Sequence, residues 1–163
     1  MSNQAIRATL RGIQKVSSIP VVRRQPVSGA LLRGLSSALD GSPFGRPTSL
    51  IIKAAIYLGF YGFLRPGEFT CSAITRSTLL KRHFVRHGGQ FLLLLPSSKT
   101  NQVGPPVKIE FFPTSNSWCP VRVLGELAEF LQPFSPDDPL LPLQGSPLTS
   151  AQFFSYIRPL VEG

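Results

Sequence analysis

The stretch Leu50–Thr70, LIIKAAIYLGFYGFLRPGEFT, decides how the rest of the chain is read. From Leu50 to Leu64 only Lys53 carries a charge, and aliphatic or aromatic side chains fall on every side of a helical period. A helix that is apolar all round is a buried helix. The run is too short and too interrupted to span a bilayer, which needs about 20 apolar residues. Pro66 disfavours helical geometry at Arg65, so the helix is expected to stop there. Pro66 also suits the first position of a second short helix, with Glu68 in its first turn facing the positive end of the dipole. A guanidinium is therefore expected at a sharp junction between a buried helix and a capped turn. The simplest account of such an arginine is that it snorkels from a helix end and caps the last carbonyls.

Composition narrows the classes of partner. The chain has 163 residues, 42% hydrophobic and only 15% charged, the size and balance of one globular domain with a real core. Its net charge of +9 is high for so few charged residues and favours an anionic partner, nucleic acid first. A membrane surface is the weaker alternative, because no stretch pairs a lysine-rich face with a clear apolar face. The basic N-terminal residues are not followed by the apolar core of a signal peptide. Cys71 and Cys119 form no CxxC or Cys/His cluster, so no zinc or other metal is expected. Reduced, partly buried thiols fit an intracellular protein.

Residues 1–39 hold Arg7, Arg11, Lys15, Arg23, Arg24 and Arg33 and no acid. Gln4–Val16 has helical character, with Ile6, Leu10 and Ile13 spaced four and three apart and Arg7 and Arg11 on another face. Ser17–Gln25 is an extended basic link, and Val27–Leu39 reads as a second helix with Ser28 as its cap. Leu31, Leu32, Leu35 and Leu39 are expected on one side of it. After the turn-forming Asp40–Pro47 comes the central helix. Beyond it the texture suggests three antiparallel strands near 74–85, 91–96 and 106–112, with Lys99 at the tip of the second hairpin. Pro120 opens a further helix with Val121, Leu124, Leu127 and Leu131 inward. Pro133–Pro147 reads as a proline-rich connection whose Asp137-Asp138 pair is solvated in a flexible loop rather than metal-binding. Thr149 or Ser150 caps a last helix, Ala151–Leu160, packed through Phe153, Phe154 and Ile157.

LGFYGFLRPGEFT resembles the first catalytic-arginine box of the tyrosine recombinase (phage-integrase) superfamily, in the variant carried by eukaryotic mobile elements. Ser97–Gln102, SSKTNQ, is similar to the SKTxQ hairpin that carries the family's catalytic lysine, and Cys119-Pro120-Val121 opens a helix like the CPV-x-x-L helix of that branch. The resemblance implies an α+β fold, mostly helical with a small three-stranded antiparallel sheet, forming the N-terminal part of a recombinase catalytic core. It implies a division into residues 1–25, the end of a core-binding-type helix plus basic linker, and 26–163, a partial catalytic domain. Arg65 and Lys99 take the catalytic places. Arg7, Arg11, Arg23, Arg24, Thr100 and Gln102 are candidate contacts to double-stranded DNA. Family members work as oligomers on DNA, use no metal or nucleotide cofactor, and in a eukaryote act in the nucleus.

The rest of the family pattern is not evident. His83-Phe84-Val85-Arg86 spells His-x-x-Arg but lies before Lys99 on an expected strand, and reads as a basic strand end. Tyr57 and Tyr61 belong to the buried helix, and Tyr156 has packing as its default reading. The chain is thus expected to end before the His-x-x-Arg box and the tyrosine nucleophile, to be inactive alone, and to leave apolar surface uncovered on the central helix. The alternative is a basic interaction or structural domain with no DNA role.

Overall fold

The computed structural model describes residues 26–96 and 105–162. In chain order these form helices α1 (Gly29–Asp40), α2 (Arg46–Gly62) and the one-turn α3 (Pro66–Phe69), then a 3₁₀ turn (Lys81–His83). Strands β1 (Phe84–His87), β2 (Gln90–Leu95) and β3 (Val107–Phe111) follow, then helix α4 (Pro120–Phe130). A short pair, β4 (Pro142–Leu143) and β5 (Ser146–Pro147), leads into helix α5 (Ser150–Glu162). The expected α+β class, with helix dominant and one small antiparallel sheet, is what the molecule has.

Helix α2 is the axis. Ile51, Ile52, Ala54, Ala55, Tyr57 and Leu58 are all but fully buried, so the helix is covered on most of its circumference, as its all-apolar sequence requires. It begins at Arg46 rather than Leu50, because Pro47 falls in the first turn, where its missing N–H is no loss. Its one interior charge, Lys53, is buried and paired with the carboxylate of Asp40 at the end of α1. The helix ends before Arg65. Phe63 takes the left-handed conformation (φ 52°) and points into solvent, while Leu64 tucks back into the core. Gly62 permits that ending, since a Cβ there would sit 3.1 Å from the ring of buried Phe111.

Ser28 caps α1, its hydroxyl accepting from the Leu31 N–H at 3.2 Å. Leu32, Leu35 and Leu39 face α2, whereas Leu31 points outward. In the sheet, β2 is central: β1 pairs with it through the Gly88-Gly89 turn, and β3 pairs with Phe91 opposite Phe111 and Leu95 opposite Val107. Phe91, Leu93 and Leu95 alternate inward, the period of a half-buried strand.

The first strand is much shorter than expected. Thr75 and Thr78 use their hydroxyls and backbone to close a turn, with the Thr75 N–H donating to Thr78 Oγ1 at 2.8 Å. Such local bonds offer the backbone an alternative to a sheet ladder. The 3₁₀ turn follows, held where the Leu80 N–H donates to His83 Nδ1, and strand geometry starts only at Phe84.

Residues 133–147 are also not a loose connection. The N–H groups of Lys81, Arg82 and Leu140 donate to the carbonyls of Asp138, Pro136 and Leu79, each at 2.9 Å, so two segments far apart in sequence are stitched together. Leu140, Leu141, Leu143 and Leu148 enter the core. Asp137 pairs with Arg82, and Asp138 accepts from the Ser135 N–H at 2.7 Å. Asp137 stays solvated as expected, its side chain 69% exposed, but the loop that carries the two acids is held in place rather than flexible. Thr149 and Gln152 cap α5 reciprocally, Phe153 is buried, and Phe154 is exposed rather than packed. In α4, Val123 is buried along with Leu124 and Leu127, while Val121 lies at the edge of the core. Among the described residues no helix is long and apolar enough to cross a membrane, and no cluster of three or more metal-ligating side chains occurs.

Candidate nucleic-acid interface

Arg65 stands at the N-cap of α3 with extended backbone (φ −77°, ψ 149°), the geometry Pro66 imposes on its predecessor. Its backbone is tightly held. The Arg65 N–H donates to Glu68 Oε2 at 2.8 Å, and the Glu68 N–H returns a bond to the Arg65 carbonyl at 2.8 Å. Glu68 is itself largely buried, its side chain 12% exposed, so the acceptor is fixed in place. The guanidinium, by contrast, is 64% exposed, and its single partner among the described residues is Glu68 at 3.8 Å. That is an ion pair too long for a hydrogen bond, which leaves the planar fork of donors available to an incoming group.

The turn is braced from below. The Thr70 hydroxyl donates to the Pro66 carbonyl at 2.6 Å and meets the Ser150 hydroxyl at 2.6 Å, tying α3 to the start of α5. The Cys71 N–H donates to the Leu148 carbonyl at 3.0 Å. Phe69 is buried edge-on against Phe153, with centroids 5.3 Å apart. The bracing residues Thr70 and Ser150 were invisible in the sequence, since nothing local links positions eighty apart. An arginine on a fixed backbone with a solvent-facing head has the donor geometry to accept a phosphate or carboxylate.

The other residues singled out by the sequence are placed unevenly. Lys99, Thr100 and Gln102 lie outside the described residues, as do Arg7, Arg11, Arg23 and Arg24. The β2–β3 pairing at the base of the Lys99 hairpin is in place. His83 belongs to the 3₁₀ turn rather than to a strand end. Burial, and then the charge of Arg82, push its pKa below the ordinary value, and its Nδ1 is committed to the Leu80 N–H. Arg86 lies over the Phe91 ring at 5.8 Å. Each of the pair has its own structural partner. Tyr57 is buried, Tyr61 donates to the Trp118 carbonyl at 2.9 Å, and Tyr156 packs edge-on against Phe44. Burial first, and then Tyr57, raise the Tyr61 pKa.

Two further features were missed by sequence reasoning. Arg33 lies 4.1 Å above the Trp118 ring, a cation–π contact joining α1 to the residues before α4. Cys119, a free thiol at the N-cap of α4, is pushed up by burial but pulled down further by hydrogen bonds from Thr114, Arg122 and Val121, and its pKa falls below the usual value.

A solved structure of the site-specific recombinase XerH bound to difH substrate, a pre-cleavage complex, superposes with a TM-score of 0.55 at 15% identity. The match covers 88% of this chain and 38% of the recombinase. A post-cleavage complex of XerH with a palindromic difH substrate gives 0.56 at 15% identity, over 86% of this chain and 36% of that one. The fold is like that of the matched part of the XerH recombinase. The chain spans well under half the length of that recombinase, and at such identity the likeness speaks for the fold alone. No family model matches the sequence, and the search of curated proteins returns no match.

Proposed function

We propose that this chain is a DNA-contacting part of a tyrosine-recombinase-type catalytic domain, of the mobile-element branch, in which Arg65 holds a backbone phosphate. The observation that carries the reading is the arginine turn: a backbone fixed by Glu68 and Thr70 presents an exposed guanidinium with no close partner among the described residues. A fork of donors suits two non-bridging phosphate oxygens at once, and a positive charge fixed beforehand stabilises the charge that develops in phosphoryl transfer. The likeness in fold to XerH in complex with its substrate supports the same assignment.

In this reading residues 26–163 form the front of a catalytic domain, and residues 1–25 are the end of a DNA-gripping helix and a basic linker. Lys99, on the β2–β3 hairpin, supplies a proton to the leaving oxygen. Arg7, Arg11, Arg23, Arg24, Thr100 and Gln102 contact phosphates. Arginine and lysine polarise a phosphate but provide no nucleophile, so the chain by itself binds DNA without cutting it. Assembly with further copies on DNA follows the same pattern.

The test is the salt dependence of binding to double-stranded DNA. With about five phosphates contacted, the log–log slope of affinity against salt is expected near −4 to −5. An affinity indifferent to salt, or no binding at physiological ionic strength, would leave a basic interaction domain without a DNA role. Covalent attachment of the chain to a nicked DNA substrate would overturn the proposal that it binds without cutting.

A further inference from the structure

The three-stranded sheet runs β1-β2-β3, so β3 is bonded to β2 along one edge and, among the described residues, to nothing along the other. An open edge presents a row of unpaired N–H and C=O groups that a further strand can pair with. Val107 is 39% exposed, and Phe112, just past the strand, is 54% exposed. Pro106 and Pro113 lack the N–H of a ladder residue and bracket the segment that can pair.

The charges on this edge differ from those of the chain as a whole. The net charge is +9, yet from Pro105 to Cys119 the charged residues are Lys108 and Glu110, one of each sign. They stand on the same face of the sheet, 2.8 Å apart, with side chains 59% and 34% exposed. A lone lysine on an edge strand wards off a second copy of itself. A lysine and a glutamate two residues apart do so only in some registers. When β3 pairs antiparallel with another β3 about Ile109, Lys108 of each copy stands opposite Glu110 of the other. Centred on Lys108 or on Glu110, the same pairing sets like charges face to face. Directly opposed unlike charges stabilise a strand pair, and like charges destabilise it. The other edge strand, β1, carries Arg86 and His87 and no acid, so it has no such register. The remaining positive charge opposes association, but beyond about 10 Å it is screened at ~0.1 M salt.

We propose that β3 pairs antiparallel with β3 of a second copy about a two-fold axis at Ile109, joining the two sheets into one. The Lys108–Glu110 opposition then occurs twice, and Val107 of each copy meets Phe111 of the other. The pairing requires no DNA, so its failure leaves the reading of Arg65 untouched.

Sedimentation equilibrium of the full chain without DNA tests the proposal. So short a strand makes a small interface, and a reversible dimer with a dissociation constant of about 10–1,000 μM is expected. Lys108→Glu sets like charges opposite each other at both places and is expected to weaken the dimer at least about tenfold. Adding Glu110→Lys restores the opposition and should return the constant to within about threefold of wild type. A wild-type chain still monomeric at about 1 mM, or a Lys108→Glu chain that dimerises as tightly as wild type, would overturn the proposal. A disulfide trap reads the register. In a Cys71→Ser, Cys119→Ser background, chains carrying Lys108→Cys are mixed with chains carrying Glu110→Cys. The pairing brings these thiols opposite each other with Cα atoms about 4.5–5.5 Å apart, within the span of a disulfide. Mixed dimers well above the share of a random mixture are expected; a random mixture, or no cross-link, would refute the pairing.

Discussion

Replacing Arg65 with alanine separates a phosphate receptor from a structural arginine. The guanidinium is 64% exposed and 3.8 Å from its one partner, so its loss is expected to change folding stability by less than about 0.5 kcal/mol. On the proposed role, its expected contribution to DNA binding is larger but limited by the same exposure. Two charge-assisted bonds to phosphate in a solvated setting are worth about 1.4 kcal/mol together, or about tenfold in affinity. One phosphate contact fewer lowers the log–log salt slope by about 0.9, so the defect shrinks as salt rises: about tenfold at about 50 mM becomes about threefold at about 200 mM. Arg65→Lys keeps the charge and loses the fork, and is expected to weaken binding about threefold with an unchanged slope. Fluorescence anisotropy of a labelled duplex across that salt range, beside thermal melts of each variant, measures all of this. Wild type and Arg65→Ala with the same slope and affinity would refute the role, as would a loss of affinity matched by a comparable loss of stability.

Three other outcomes follow from the fold. In the Lys53–Asp40 pair the lysine side chain is 11% exposed and the aspartate 68%, so the halves are unequal. Asp40→Asn strands a buried ammonium and is expected to cost about 1–2 kcal/mol, whereas Lys53→Met leaves a solvated carboxylate and costs under about 1 kcal/mol; denaturant titrations showing equal losses would contradict this. His83 has its pKa lowered by burial and by Arg82, so the unfolded chain binds a proton first as pH falls. The group costs nothing above the unfolded value of about 6.5 and destabilises progressively below it, and His83→Gln is expected to flatten that part of the stability–pH curve. Cys119 has a depressed pKa because hydrogen bonds to the sulfur outweigh its burial. In a Cys71→Ser background its alkylation rate should reach half its plateau at a lower pH than that of an unstructured cysteine peptide assayed alongside, and a half-point at or above the peptide's would refute the effect.

The arginine turn was legible because its causes are local. A proline one residue on, a glutamate three residues on and an apolar run before it dictate an extended N-cap, a capped turn and a buried helix without help from the rest of the chain. The central helix, the β2 alternation and the α4 start at Pro120 are of the same kind. Where tertiary partners decided, the sequence misled. Residues 74–80 have the composition of a strand, yet the Thr75 and Thr78 hydroxyls turn the chain before any ladder can form. Pro133–Pro147 looked like a loose loop because its prolines hide the backbone bonds of Pro136, Asp138 and Leu140 to Leu79–Arg82, and those of Leu141 to Leu148 and Leu143 to Ser146, which accompany the burial of its leucines. Helix periodicity located the buried stripes to within a residue or so, which is why Leu31 and Phe154 emerge exposed and Val123 buried.

The bracing of the turn also bears on how an exposed arginine can be selective. A long flexible side chain gives up about 2 kcal/mol of rotamer freedom when it binds, and a mobile backbone beneath it would add more. Here the backbone is ordered before any anion arrives: the Arg65 N–H and carbonyl are both engaged by Glu68, and Thr70 joins Pro66 to Ser150. Only the guanidinium remains to be fixed. Glu68 stays near enough to temper the charge, at 3.8 Å, but too far to occupy the donors, so a phosphate can replace it without breaking a hydrogen bond. On the proposed role, the cost of ordering an anion contact is thereby confined to one side chain.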